Sequence, residues 1–181
     1  MPNYRRLYEG NAYFFTAVTY NRLPIFNNEN PIQILQASWK IVEERFPFTT
    51  LAICILPDHI HTIWILPEND QNYSLRWKGI KYQFTKRYLS QIGTGETRNP
   101  SRQKRGEAAI WQRRFWEHTI KDDDDLARHI DYIHFSPVKH GLVTEVDEWQ
   151  WSSFHCFVEE GYYEAEWRLT EKDGGKAEYG E

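Results

Sequence analysis

Apolar positions along the chain follow two periods, and the switches between them outline the elements. Ala12 to Tyr20 is dense in aromatic and β-branched residues and predicts a strand. Asn21-Arg22-Leu23-Pro24 predicts a turn. From Pro31 the apolar spacing becomes helical, with Ile34, Leu35, Trp39, Ile41, Val42 and Phe46 as the stripe and Asn30 as the expected cap. Thr49 to Leu56 and Ile60 to Leu66 predict two further strands, joined tightly at Pro57-Asp58. A loop over 67–72 leads to a second helix, with Ser74 as cap and Leu75, Ile80, Phe84 and Leu89 as apolar positions. Gly93 to Gly106 predicts a flexible loop, and Ala108 to Ile120 a fourth strand, bent or split. Asp122 to Asp124 complement the dipole at the start of a third helix, and Pro137 is expected to stop it.

The order β-α-β-β-α-β followed by a helix predicts an α+β fold. It fits a ferredoxin-like antiparallel sheet with helices on one face and the first and third strands central. Val143 to Phe154, with Trp149 and Trp151, is expected to pack against this domain. Residues 1–154 would then form one domain, and 155–181 an acidic, mobile tail. A length of 181 residues with 40% apolar residues allows one such core. Two cysteines exclude a disulfide framework. No apolar run reaches transmembrane length and the start lacks a signal-peptide core, so a cytoplasmic protein without a membrane partner is expected.

A net charge of −4 argues against a nucleic-acid partner until its distribution is considered. From Arg76 to Trp116 there are eleven bases and two acids, a local charge of +9. Arg76, Lys78, Lys81, Arg105, Arg113 and Arg114 are the candidates within it for gripping a polyanion. The acids concentrate in Asp122 to Asp125 and beyond Phe157, where a mobile segment can compete with phosphates for a basic groove.

Candidate chemistry comes from His59-Ile60-His61. Strand periodicity puts both imidazoles on one face, which makes half of a site for a divalent metal. In the third helix Leu126, Ile130 and Ile133 define the core stripe, and Tyr132 lies roughly 120° from its centre. Ser136 follows Tyr132 by one turn. Packing at the helix margin would explain such a tyrosine as well as chemistry would.

Five segments stand out together: Tyr13-Phe14-Phe15-Thr16, Pro57-Asp58-His59-Ile60-His61, the run from Trp111 to His118, the run from Asp131 to Val143, and Trp149-Gln150-Trp151-Ser152-Ser153-Phe154. In this order they resemble the REP-associated tyrosine transposases, a branch of the single-tyrosine HUH transposases related to those of small single-strand insertion sequences. The resemblance implies a ferredoxin-like nuclease that cleaves and rejoins single-stranded DNA beside a hairpin. It implies His59 and His61 as ligands of Mg²⁺ or Mn²⁺, Tyr132 as the nucleophile that takes the 5′ phosphate, and action as a monomer or homodimer. Relatives place an amide ligand one turn after the tyrosine, where this chain has Ser136; His129 or His134 would be substitutes. Two rival functions stay open: a protein that binds structured single-stranded DNA without catalysis, and a metal-dependent phosphodiesterase in which water attacks.

Overall fold

The structure is a computed structural model and describes residues 11–93, 99–163 and 179–180. Four antiparallel strands, β1 (Asn11–Val18), β2 (Thr49–Ile55), β3 (His59–Leu66) and β4 (Trp116–Thr119), form one sheet in the order β2-β3-β1-β4. The expected ferredoxin-like order, with the first and third strands central, is the one observed. Five helices surround the sheet: α1 (Glu29–Arg45), α2 (Tyr73–Gln91), α3 (Pro100–Arg105), α4 (Asp123–Lys139) and α5 (Phe154–Glu159).

Helices cover both sheet faces, where the sequence predicted one covered face plus an added helix. Tyr13, Phe15, Ile60 and Trp64 point into a core shared with Trp39 of α1 and Trp77 of α2. Ala12, Phe14, Ala52, Cys54 and Ile63 point into a second core with Leu126, Ile130 and Ile133 of α4 and Phe157 of α5. A central strand covered on both sides has no polar face, which is why β3 is almost entirely buried. His59 and His61 therefore lie between the sheet and α4, at 1% and 0% exposure.

Differences from the predicted elements have local causes. The N-cap of α1 is Asn28, two residues before the expected Asn30, and Pro31 sits within the first turn, where its missing N–H would have no helical partner anyway. Asn72, rather than Ser74, caps α2 by accepting a hydrogen bond from Leu75 N at 3.1 Å. The expected loop over 93–106 contains α3, with Asn99 as cap, Pro100 opening the helix and Gly106 closing it at φ 65°. Residues 94–98 of that loop lie outside the described residues. The fourth strand has only four residues. Its predicted first half is irregular backbone tied to the end of β1 by Tyr20 N to Ile110 O and Gln112 N to Val18 O. Pro137 does not stop α4, which continues to Lys139.

The expected boundary at 154 falls inside the first turn of α5, and both Phe157 and Tyr163 are buried. The rest of the expected mobile tail, residues 164–178 and 181, lies outside the described residues. Upstream of α5, Trp149 Nε1 donates to Ile55 O at 3.1 Å and Ile55 N donates to Trp151 O at 2.9 Å, so this segment packs against the domain as expected, and does so along β2.

A buried polar chain joins α4 to these C-terminal residues. Tyr163 donates its hydroxyl to Asp131 at 2.7 Å, and His134 bonds Tyr163 at 3.1 Å and Ser153 at 2.9 Å. Burial, reinforced by the charge of His155, pushes His134 down from 6.5 to about 3. Below about pH 6.5 the unfolded chain takes up a proton at His134 that the folded chain refuses. The stability contributed by the neutral ring is thus complete above that value and is lost as pH falls toward about 3. We expect the melting temperature to fall between about pH 7 and about pH 4. His134→Gln should lower it at neutral pH and flatten its pH dependence. A thermal titration of both proteins checks this; an unchanged slope in the variant would remove His134 as the cause.

Candidate active site

The helix α4 is anchored at both ends, and this fixes what it presents to the sheet. Asp122 caps it by accepting from Asp125 N at 2.8 Å, and Asp123, Asp124 and Asp125 complement the dipole. At the other end Gly141 N donates to Val138 O and Leu142 N to Pro137 O, both at 2.9 Å. With Gly141 at φ 65° this is a complete Schellman motif. The segment Pro137-Val138-Lys139-His140-Gly141 is thus a helix exit that places His140 at the C-cap. Tyr132, Ser136 and His140 follow one another at i, i+4 and i+8 along α4 and its cap.

Beneath this stripe the two histidines of β3 are oriented by their Nδ1 atoms. His59 Nδ1 lies 2.6 Å from Asp58 Oδ1, and an ionised carboxylate can only accept. Burial opposes charge on Asp58, but its bonds to His59 and Arg22 outweigh that and hold the carboxyl at about 2. His61 Nδ1 lies 2.8 Å from Thr16 Oγ1, whose own hydrogen goes to Tyr179 O, so Thr16 accepts from the imidazole. Both Nδ1 atoms therefore carry hydrogens, and in the neutral rings the lone pairs sit on Nε2. His59 Nε2 is buried without a hydrogen-bond partner. A buried nitrogen in that condition is costly unless something is coordinated there. A carboxylate behind a histidine is also the usual way of orienting an imidazole toward a metal. The residues thus fit a divalent ion.

A third imidazole joins them. The rings of His59 and His61 lie 4.7 Å apart, those of His59 and His140 4.9 Å, and the possible ligand atoms of all three lie within 4.8 Å of one another. Ser136 is placed differently from its expected role. Its hydroxyl is fully buried and donates to Tyr132 O at 2.8 Å. His134 belongs to the structural network already described. His129 belongs to a second group with His118 and Asp125, in which Asp125 accepts from His118 Nε2 at 2.8 Å and His129 Nδ1 donates to Asp125 O at 2.8 Å. Burial lowers the pKa of His129.

Tyr132 stands beside the histidines, its ring centroid 5.2 Å from that of His61. It is only 6% exposed, well inside the helix margin where the sequence put it. Lys139 donates to the Tyr132 hydroxyl at 3.1 Å, with Nζ 4.7 Å from the ring centroid. On the other side Tyr179 stacks on Tyr132, centroids 3.4 Å apart and planes at 7°. Gly180 rests on Trp116 so closely that a Cβ there would collide with the indole. Nothing in the local sequence pattern pointed to Tyr179. The signals for Lys139 and His140 were their helical spacing from Tyr132.

The basic stretch does not gather at this site. Arg76 is 2% exposed, and its guanidinium donates to Phe46 O, Pro47 O, Asn72 O and Asp70. It ties α1 to α2, and is corrected from a DNA contact to a structural one. Lys81 donates to Gln112 O at 2.9 Å and lies against Trp111 and Phe115. Burial, then the charge of Arg102, lower it to about 8. Arg113 bonds Glu107 at 2.8 Å and Ser101 at 3.0 Å. Lys78, Arg105 and Arg114 are exposed. Lys78 and Lys81 ride on α2, across the sheet from Tyr132.

Comparison with known proteins sets this site in a family. No family model matches the chain. A Haemophilus influenzae protein named for the REP-associated tyrosine transposases is 47% identical over 168 residues, spanning 92% of this chain and 93% of the relative. The REP-associated tyrosine transposase of Escherichia coli K12 is 39% identical over 168 residues, spanning 92% and 91%. The solved structure of a REP-associated tyrosine transposase bound to a REP hairpin aligns with a TM-score of 0.76 at 36% identity, covering 100% of this chain and 98% of the other. The chain belongs to the REP-associated tyrosine transposase family, and so to the transposase enzymes. Among the described residues no helix is long and apolar enough to cross a membrane.

The stack of Tyr179 on Tyr132 can be checked without any substrate. Tyr179→Ala should make Tyr132 several-fold more reactive toward an aqueous tyrosine-nitrating reagent, read by peptide mass spectrometry, with Tyr163 as an internal buried control. Equal nitration of Tyr132 in both proteins would mean that the stack does not shield it in solution.

Proposed function

We propose that the chain is a metal-dependent single-stranded DNA transesterase that cuts and rejoins a strand beside a hairpin through a 5′-phosphotyrosine at Tyr132. The observation that carries this reading is the position of Tyr132, beside His61 and with its hydroxyl held by Lys139. The solved relative was bound to a REP hairpin, which supports the same class of partner here. A divalent ion, Mg²⁺ or Mn²⁺, bound at His59 and His61 would neutralise a non-bridging phosphate oxygen and make phosphorus more electrophilic.

The chain's own residues do the rest. Asp58 and Thr16 hold the two imidazoles with Nε2 toward the site. The ammonium of Lys139 stabilises the negative charge that develops on the Tyr132 oxygen as its proton leaves. That oxygen bonds to phosphorus, the bond from phosphorus to the 3′ oxygen breaks, and the leaving oxygen takes up a proton. The new ester retains the energy of the old one, so a second 3′ hydroxyl can reverse the step without ATP. Tyr179 lies on the nucleophile's ring and has to move before a nucleotide can stack there. Tyr179 therefore opposes substrate by occupying the site, and the acidic composition of the sequence after Phe157 adds to that effect. A truncation meant to relieve it should begin after Tyr163, because Tyr163 is part of the fold. Lys78, Arg105 and Arg114 are the remaining candidates for phosphate contacts from the basic stretch.

A labelled single-stranded oligonucleotide carrying a hairpin, incubated with protein and Mn²⁺ or Mg²⁺, should remain attached to the protein through denaturing electrophoresis. Tyr132→Phe keeps the ring and removes the attacking oxygen, so the band should disappear. His59→Ala with His61→Ala should lose it as well. An adduct that persists in Tyr132→Phe would move the nucleophile elsewhere, and metal-dependent cutting without any adduct would indicate attack by water. Tyr179→Ala should form the adduct faster than wild type. An unchanged rate would separate the stack from control of the reaction.

A further inference from the structure

The metal reading just given rests on two imidazoles, and Ser136, one turn after Tyr132, cannot easily add a third protein ligand. Ser136 has a short side chain, is fully buried, and donates its hydroxyl to the Tyr132 carbonyl one turn back. That bond keeps the hydroxyl on its own helix, directed one turn back along the backbone. The next position on the same stripe is His140.

Resting on that metal reading, we propose that His140 completes the centre as its third protein ligand, one helical turn beyond the position of Ser136. Side chains on a helix lean toward its N-terminus, so a long side chain at i+4 covers the space above a short one at i. The ring of His140 meets His59 edge-on at 4.9 Å and 70°. Nitrogen–metal bonds of about 2.1 Å allow ligand atoms to be at most ~4.2 Å apart. The three residues' ligand atoms lie within 4.8 Å of one another, close to that range. His140 lies at the exposed edge of the group, whereas His59 and His61 are held in place by burial, Asp58 and Thr16. The unpartnered Nε2 of His59 is the atom such an ion would take up. The Schellman closure at Gly141 holds the C-cap where the ring can reach.

The same helix then carries both the nucleophile and a metal ligand, separated by two turns. The ion would link the exit of α4 to β3, and the position of Tyr132 against the ion would follow from helix geometry alone.

The test is Mn²⁺ binding to the full chain without DNA, read from the loss of the free aquo-ion signal in electron paramagnetic resonance. Compared with wild type, His140→Ala should bind about tenfold or more weakly. His140→Asn, which retains a coordinating oxygen, should recover part of that loss, and Ser136→Ala should bind as wild type does. Pulsed spectra should show imidazole nitrogen couplings from three rings in wild type and two in His140→Ala. Wild-type affinity in His140→Ala, or an equal loss in Ser136→Ala, would overturn the assignment while leaving His59 and His61 as ligands. A wild-type chain that binds no Mn²⁺, with His59→Ala and His61→Ala behaving identically, would overturn the metal reading and this assignment together. His140 is exposed, so its variants should melt as wild type does without metal, and thermal unfolding confirms that they are folded.

Discussion

Two imidazoles buried between β3 and α4 impose the constraint on which the rest of the site depends. A buried ring nitrogen needs a partner, and an imidazole has two of them. Asp58 and Thr16 take the Nδ1 atoms of His59 and His61, which turns the Nε2 atoms toward α4. Every residue with a chemical role in the proposed reaction is placed relative to that edge. Tyr132 lies beside the His61 ring, and His140 beside the His59 ring. The sheet order makes this possible, since β3 has a hydrogen-bonded neighbour on each side and cannot shift register without breaking two ladders.

The fold was largely legible because its signals are periodic. The first three strands and each long helix are found within a few residues of the expected position, the fourth strand keeps only the end of its expected run, and the central placement of the first and third strands follows from the element order alone. Errors arose where two residues of the same chemistry compete for one role. Asn28 and Asn30 could each cap α1, and Asn72 and Ser74 could each cap α2. Backbone geometry selects between them, and composition does not. The Asn99-Pro100 start and Gly106 end of α3 are proper helix signals. They were hidden inside a polar stretch whose composition suggested a loop.

The site was legible to the extent that it depends on spacing. His59 and His61 on one strand, and Tyr132 in its helix segment, are sequence patterns. Charge was misleading for the opposite reason. Counting bases from Arg76 to Arg114 ignores which backbone carbonyls the fold turns toward a buried guanidinium. Phe46, Pro47 and Asn72 present such oxygens to Arg76, and Ala108 and Trp111 present them to Arg102. These guanidiniums hold loops together, and their charge is largely unavailable to a ligand. Tyr179 was out of reach entirely, because its contact with Tyr132 is made by chain return rather than local pattern.

The helix α4 connects these observations, because it carries Tyr132, Ser136 and, at its C-cap, His140 in a single rigid frame. Asp122 sets its start and the Gly141 closure sets its end, so the distances from Tyr132 to Ser136 and His140 are fixed by helical rise and not by side-chain packing. Pro137 fits the same frame. It removes one backbone donor inside the last turn, yet its own carbonyl accepts from Leu142 in the terminal closure. A proline in mid-helix would disrupt the frame, whereas here it takes part in terminating it. The C-terminal contact acts on this frame from outside. Tyr179 covers the ring of Tyr132 and its carbonyl accepts from Thr16, the residue that orients His61. One residue therefore touches both the proposed nucleophile and the support of a proposed metal ligand, so the two can be engaged or released together.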